Sequence, residues 1–174
     1  ASQTGDQRLL DMLDRVWRNT TERNQYITGG IGPSAHNEGF TVDYDLPNAT
    51  AYQETCATIA LAQWAHRLAL LYGDARYADA LERALYNGVL SGVSQDGTRF
   101  FYVNPLASNG VYPFNQGHRD RFPWTGCACC PVNIVRFIPS VPGFAYSTRG
   151  RSVYVGLYLP SVSEIQLGSD KVIL

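Results

Sequence analysis

No run of roughly 18 apolar residues occurs in the 174-residue chain, which excludes a transmembrane helix. Basic excess is also missing: 14 Lys and Arg stand against 15 Asp and Glu, for a formal net charge of −1. With no basic stripe to neutralise phosphates, neither nucleic acid nor an anionic membrane is an expected partner. No internal repeat or low-complexity segment is visible, which excludes a repeat array. The opening residues, ASQTGDQRLL, lack both an initiator Met and the charged and apolar regions of a signal peptide. The final SDKVIL stops inside a strand-like pattern. Both ends read as cuts, so the chain is expected to be a piece of a longer protein whose remaining segments complete it.

What is present suffices for one domain with a sizeable core: 45% of residues are hydrophobic and 17% charged. Eleven tyrosines, seven phenylalanines and three tryptophans supply flat, amphipathic faces. Such faces suit an ordinary core, and they also suit a cleft for carbohydrate or another small ligand.

Helical spacing of Leu9, Leu10, Leu13, Val16 and Trp17 predicts a first helix within DQRLLDMLDRVWRNTTER. A glycine- and proline-punctuated loop follows, YITGGIGPSAHNEGFTVDYDLPN, carrying Tyr26, His36, Phe40 and Tyr44. It is too long for a neutral connector, and long structured loops usually carry function. A second helix is predicted over about Thr55 to Leu71, ended by Gly73. A third begins after Asp74 as N-cap, with Tyr77, Leu81, Leu85 and Leu90 as its buried stripe. TRFFYVNPL reads as a strand, and PVNIVRFI as a short helix opened by Pro131 at its first position. From about residue 146 the pattern alternates and is rich in Val and Tyr, which predicts strands. The expected class is α+β, with helices in residues 1–145 and strands in 146–174.

The chemistry concentrates in FPWTGCACCPVN, where Cys127, Cys129 and Cys130 fall within four positions. Disulfides among them would close almost no loop and so add little stability. Cys127 and Cys130 form a C-x-x-C, but the βαβ unit that usually carries a redox pair is missing. Metal binding is the third alternative, because crowded thiolates repel unless a cation neutralises them, and zinc is the usual choice. Cys56 and Glu54 in YQETCA offer further ligands. In mid-helix, residues two apart point about 200° from each other. At a helix start, where the chain is still extended, both side chains can turn inward. Taken singly, Cys56 also reads as a small buried hydrophobe and Glu54 as a carboxylate favoured by the helix dipole.

The segments YITGGIG, HNEGF, YDLPN, AYQETCA, YADALERALYNGVLSGVSQDGTRFFYVNPL and CACCPVN together resemble the β-L-arabinofuranosidases of glycoside hydrolase family 127. The resemblance runs in order through nearly the whole chain. It implies the C-terminal helices of an (α/α)6 barrel followed by the first strands of a β-sandwich domain. It further implies zinc held by Glu54, Cys56, Cys129 and Cys130, with Cys129 as nucleophile and Glu38 as general acid/base. Tyr102 matches a tyrosine of the family's active site, and His36 lies close enough in sequence to Glu38 to bind sugar. Cys127 is then left without a role, whereas C-x-x-C spacing alone would recruit it to an all-cysteine site with Cys56, Cys129 and Cys130, a closed site that would be inert. The chain departs from the family in reading C-C-P-V-N for the commoner C-C-P-P-N, and Pro139 and Pro142 interrupt the helix that normally follows.

The activity so implied is retaining hydrolysis of arabinofuranosyl oligosaccharides by a zinc-bound thiolate, with this piece alone expected to be inactive. The alternative is a structural zinc-binding module or a non-catalytic carbohydrate-binding relative. Unpaired reactive thiols argue for a reducing cytoplasm. A homodimer is compatible with the sequence, which does not fix the oligomeric state.

Overall fold

Periodicity alone locates the helices well. The computed structural model describes residues 3–174 and places α1 at Gln7–Arg23, α2 at Thr55–Tyr72 and α3 at Ala75–Arg83. Asp6 caps α1 by accepting from the Arg8 N–H at 3.0 Å, and Asp74 caps α3 through the Arg76 N–H at 2.9 Å. Gly73 ends α2 in the left-handed conformation (φ 68°), its N–H reaching the Ala69 carbonyl at 2.8 Å. Among the described residues no helix is long and apolar enough to cross a membrane.

Three local expectations are corrected. The third helix does not continue regularly: Ala84–Val89 widens into a π-helical turn and Leu90–Gly92 tightens into a 3₁₀ turn. The wider turn rotates the buried stripe, so Tyr77, Leu81, Leu85 and Val89 are buried and Leu90 is 38% exposed. Gly88 makes the close approach possible, since a Cβ there would lie 2.4 Å from Thr58 Cγ2 of α2. TRFFYVNPL forms no ladder. Phe100 bridges Val93 and Phe122, Val103 bridges Glu54, and the segment threads between loops as an extended tie. Finally, α4 begins at Cys129, not Pro131, and runs to Phe137. Pro131 is its third residue, where the missing N–H is still one that no helical carbonyl would accept. Beyond it, Pro139 and Pro142 divert the chain into a 3₁₀ stretch, Ile138–Phe144.

The strands fall where alternation predicts. β1 (Tyr146–Arg149) pairs antiparallel with β2 (Ser152–Val155), and β3 (Glu164–Leu167) with β4 (Asp170–Ile173). The main core joins α1, α2, α3 and α4 through Trp17, Ile59, Leu61, Tyr77, Leu81 and Phe137, and Leu157 closes it from beyond β2. Trp17 packs edge-on against both Trp64 and Tyr77. A second, smaller cluster comprises Tyr52, Tyr102, Val103 and Cys130, with Cys56 and Phe114 against it. That cluster is the wall on which the reactive groups sit.

Candidate active site and metal centre

Two helix starts converge here. Gln53 adopts φ +40° and Glu54 is extended (φ −55°, ψ 134°), so the chain turns into α2 with both Glu54 and Cys56 directed inward. Hydrogen bonds fix that corner. The Gln53 amide donates to the Asn104 carbonyl at 2.9 Å, the Thr55 N–H donates to the Tyr102 carbonyl at 3.0 Å, and Thr55 Oγ1 donates to the Phe101 carbonyl at 2.9 Å. Opposite, Ala128 precedes α4, and Cys129 and Cys130 are its first two residues. The positive ends of both helix dipoles therefore face one small volume, which favours anionic donors there.

Glu54, Cys56, Cys129 and Cys130 each bring one donor atom within 4.8 Å of all the others. Cys56 Sγ lies 3.4 Å from Cys130 Sγ, Cys129 Sγ 3.8 Å from Cys130 Sγ, and both Cys129 and Cys130 lie 3.5 Å from Glu54 Oε1. A tetrahedron with metal–sulfur bonds of about 2.3 Å and metal–oxygen bonds of about 2.0–2.2 Å has edges of about 3.5–3.8 Å, which these four separations approach, so the group could hold one metal ion. Charge points the same way. Glu54 is buried, and none of the ion pairs among the described residues involves it. A buried carboxylate without a cationic partner is costly, and a bound cation supplies that partner.

The protein alone does not make every sulfur anionic. The hydrogen bond with Cys130 lowers the Cys56 thiol below its ordinary value, and the same bond raises Cys130. Burial pushes the Cys129 thiol up to about 12. A metal ion reverses that trend for a coordinated thiol.

Cys129 is exposed and has a second set of contacts. Its Sγ donates to the Tyr102 hydroxyl at 3.3 Å, and that hydroxyl donates to Glu38 Oε1, also at 3.3 Å. Tyr52 donates to the same Glu38 oxygen at 2.9 Å. Glu38 thus comes to the cysteines from the long loop, on a turn closed by the Ser34–Gly39 bridge, with its own φ at +50°. Cys127 stays in the loop before α4, exposed and outside the donor set, its Sγ 4.0 Å from the Tyr102 hydroxyl. His36 is exposed, and its ring makes no hydrogen bond among the described residues. His66 packs at a tilt against Phe144 and His118 stacks on Phe122, and neither belongs to the donor group.

A family model for the catalytic domain of GH127 β-L-arabinofuranosidases matches residues 1–143. The chain belongs to glycoside hydrolase family 127. Within the family, it is 41% identical over 170 residues to a non-reducing end β-L-arabinofuranosidase of Bifidobacterium longum subsp. longum, covering 94% of this chain and 26% of that protein. A solved GH127 β-arabinofuranosidase is 49% identical with a TM-score of 0.92, covering 99% of this chain and 26% of that one. The GH127 β-L-arabinofuranosidase of Geobacillus stearothermophilus T6 is 44% identical with a TM-score of 0.92, covering 99% and 28%. This family 127 chain therefore spans about a quarter of the length of the relatives it matches.

Two residues of the candidate site carry no signal in the sequence. Tyr52 is one of eleven tyrosines, and only its contact with Glu38 distinguishes it. Asn115 is fully buried in the loop before the cysteines. Its Oδ1 accepts from the Tyr102 and Val103 N–H groups at 2.8 and 3.1 Å, and its Nδ2 donates to the Asp120 and Phe100 carbonyls at 2.8 and 3.3 Å. Asn115→Ala is expected to destabilise the full-length protein by about 2–4 kcal/mol, since it strands several buried backbone groups at once. Equilibrium denaturation checks it, and a loss below about 0.5 kcal/mol, the scale of a surface substitution, contradicts it.

Proposed function

We propose that the chain is the metal-bearing, nucleophile-bearing section of a retaining β-L-arabinofuranosidase. On this reading residues 1–145 form the C-terminal part of an (α/α)6-barrel catalytic domain and residues 146–174 begin a β-sandwich domain. The observation that carries the proposal is the double connection of Cys129, whose sulfur belongs to the four-donor group and is joined to Glu38 through the single Tyr102 hydroxyl.

Zinc is the ion proposed for Glu54, Cys56, Cys129 and Cys130, and when bound it supplies the charge that keeps Cys129 a thiolate near neutral pH. Cys129 Sγ attacks the anomeric carbon of an arabinofuranosyl unit while Glu38 protonates the departing glycosidic oxygen. A C–S bond forms as the C–O bond breaks. Glu38, now a carboxylate, takes a proton from water, which displaces the sulfur and regenerates the thiolate. Nucleophile and acid/base lie no more than two hydrogen-bond lengths apart, bridged by Tyr102. That upper bound includes the separation of about 5–5.5 Å that double displacement uses between its two groups. The substrate is an arabinofuranosyl oligosaccharide attacked from its non-reducing end, as named for the Bifidobacterium relative.

Stereochemistry tests the scheme. In methanol-containing buffer the full-length enzyme is expected to transfer its glycosyl group to methanol and yield methyl β-L-arabinofuranoside, resolved by proton NMR. The α anomer as the initial product overturns double displacement.

A further inference from the structure

Glu38 is exposed on a loop turn, a position where a carboxylate ordinarily rotates freely in solvent. Here both phenolic donors converge on one oxygen: Tyr52 at 2.9 Å and Tyr102 at 3.3 Å reach Oε1, and Oε2 takes part in no hydrogen bond among the described residues. The two donors are not equivalent. Tyr102 has one hydroxyl proton and two acceptors within reach of it, Glu38 Oε1 at 3.3 Å and Cys127 Sγ at 4.0 Å, while the same hydroxyl accepts from Cys129 Sγ. Tyr52 directs its proton to Glu38.

Tyr52 is also rigidly mounted. Its ring is 6% exposed against Tyr102, Val103 and Cys130. Its N–H donates to the Pro33 carbonyl at 3.2 Å, and its carbonyl accepts from the Asn104 N–H at 3.1 Å. It stands two residues before Glu54, so one short segment carries a metal donor and the anchor of the proposed acid/base.

We propose that Tyr52 is a positioning residue for general acid catalysis: by occupying Oε1 it holds the Glu38 carboxyl in register with Cys129 and reserves Oε2 for the proton that moves to the leaving group. This rests on the reading of Glu38 as acid/base given above. The hydroxyl serves the carboxylate, and the ring serves the fold, so removing the oxygen alone separates the two contributions.

The test uses the full-length, metal-loaded enzyme and a series of aryl β-L-arabinofuranosides whose leaving phenols range from weakly acidic to dinitrophenol-like. Tyr52→Phe is expected to lower kcat about tenfold on the poorest leaving group, the scale of one hydrogen bond to a charged partner. On the most acidic leaving group, which departs without protonation, the loss is expected to stay within about twofold. Metal content is expected to be unchanged. A loss uniform across the series, or no loss anywhere, overturns the proposal, because a merely structural role is blind to leaving-group acidity. Glu38→Gln on the same series keeps the two readings apart. If Glu38→Gln itself shows no leaving-group dependence, the acid/base reading fails. If it shows a steep dependence and Tyr52→Phe a flat one, only the role of Tyr52 fails. Should Tyr52→Phe not fold, a fluorotyrosine at position 52 keeps ring and hydroxyl while changing the strength of the donor, and a leaving-group dependence identical to that of the unmodified enzyme overturns the proposal.

Discussion

Cys129→Ser in the full-length enzyme is expected to lower kcat by about 10⁴-fold or more, the scale seen when a covalent nucleophile is removed. Serine keeps the shape and loses the chemistry. A hydroxyl is not ionised near neutral pH, whereas a thiol beside a cation is. Cys129 also contributes to the donor set, so metal analysis must accompany the kinetics. Cys127→Ser provides the comparison. It removes an exposed thiol two residues away, outside the donor set, and is expected to keep both its metal and its turnover within a few-fold. Peptide mass spectrometry after reaction with a slow arabinofuranosyl substrate should locate the glycosyl adduct on Cys129. An adduct on Glu38, or turnover that survives Cys129→Ser, would sink the thiolate mechanism. Metal loss from Cys127→Ser would revive the all-cysteine site.

The distinction between these neighbouring thiols shows where sequence reading stops. Spacing makes Cys127 and Cys130 a plausible pair, and nothing local forbids it. The helix start separates them: α4 begins at Cys129, so Cys129 and Cys130 lie in the donor group with Glu54 and Cys56 while Cys127 remains in the preceding loop. Glu54 and Cys56 were legible for the converse reason. Residues two apart converge only at an extended helix entrance, and the left-handed Gln53 builds that entrance. Tyr52 and Asn115 were invisible because their roles lie in hydrogen bonds to partners 14 and 13 residues away, which no periodicity encodes. Leu90 misled because a π-helical turn shifts the phase of a stripe without altering its residue types. The helices and strand pairs, by contrast, rest on local spacing, caps and alternation, and these survive the tertiary context.

Stripping the metal is expected to disable the site more broadly than any single change at Glu38. The donors come from the starts of α2 and α4, 75 residues apart between Glu54 and Cys129, so a bound ion would tie two helices that otherwise meet here through thiols and one buried carboxylate. Without it, Cys129 reverts toward the protonated state that burial imposes, and Glu54 is left buried without a cationic partner. Glu54→Ala and Cys130→Ala should each weaken metal affinity by about 10²- to 10³-fold, since zinc sites of this kind bind by about 10–16 kcal/mol shared over four donors. Elemental analysis should then show well under one ion per chain, with turnover falling in proportion. Chelation of the unmutated enzyme should do the same, and readdition of zinc should restore activity where magnesium does not, because three sulfur donors select a soft ion. Full turnover in protein stripped of metal would overturn the catalytic reading of the centre. Restoration by magnesium would show that the donor set is not the one that matters.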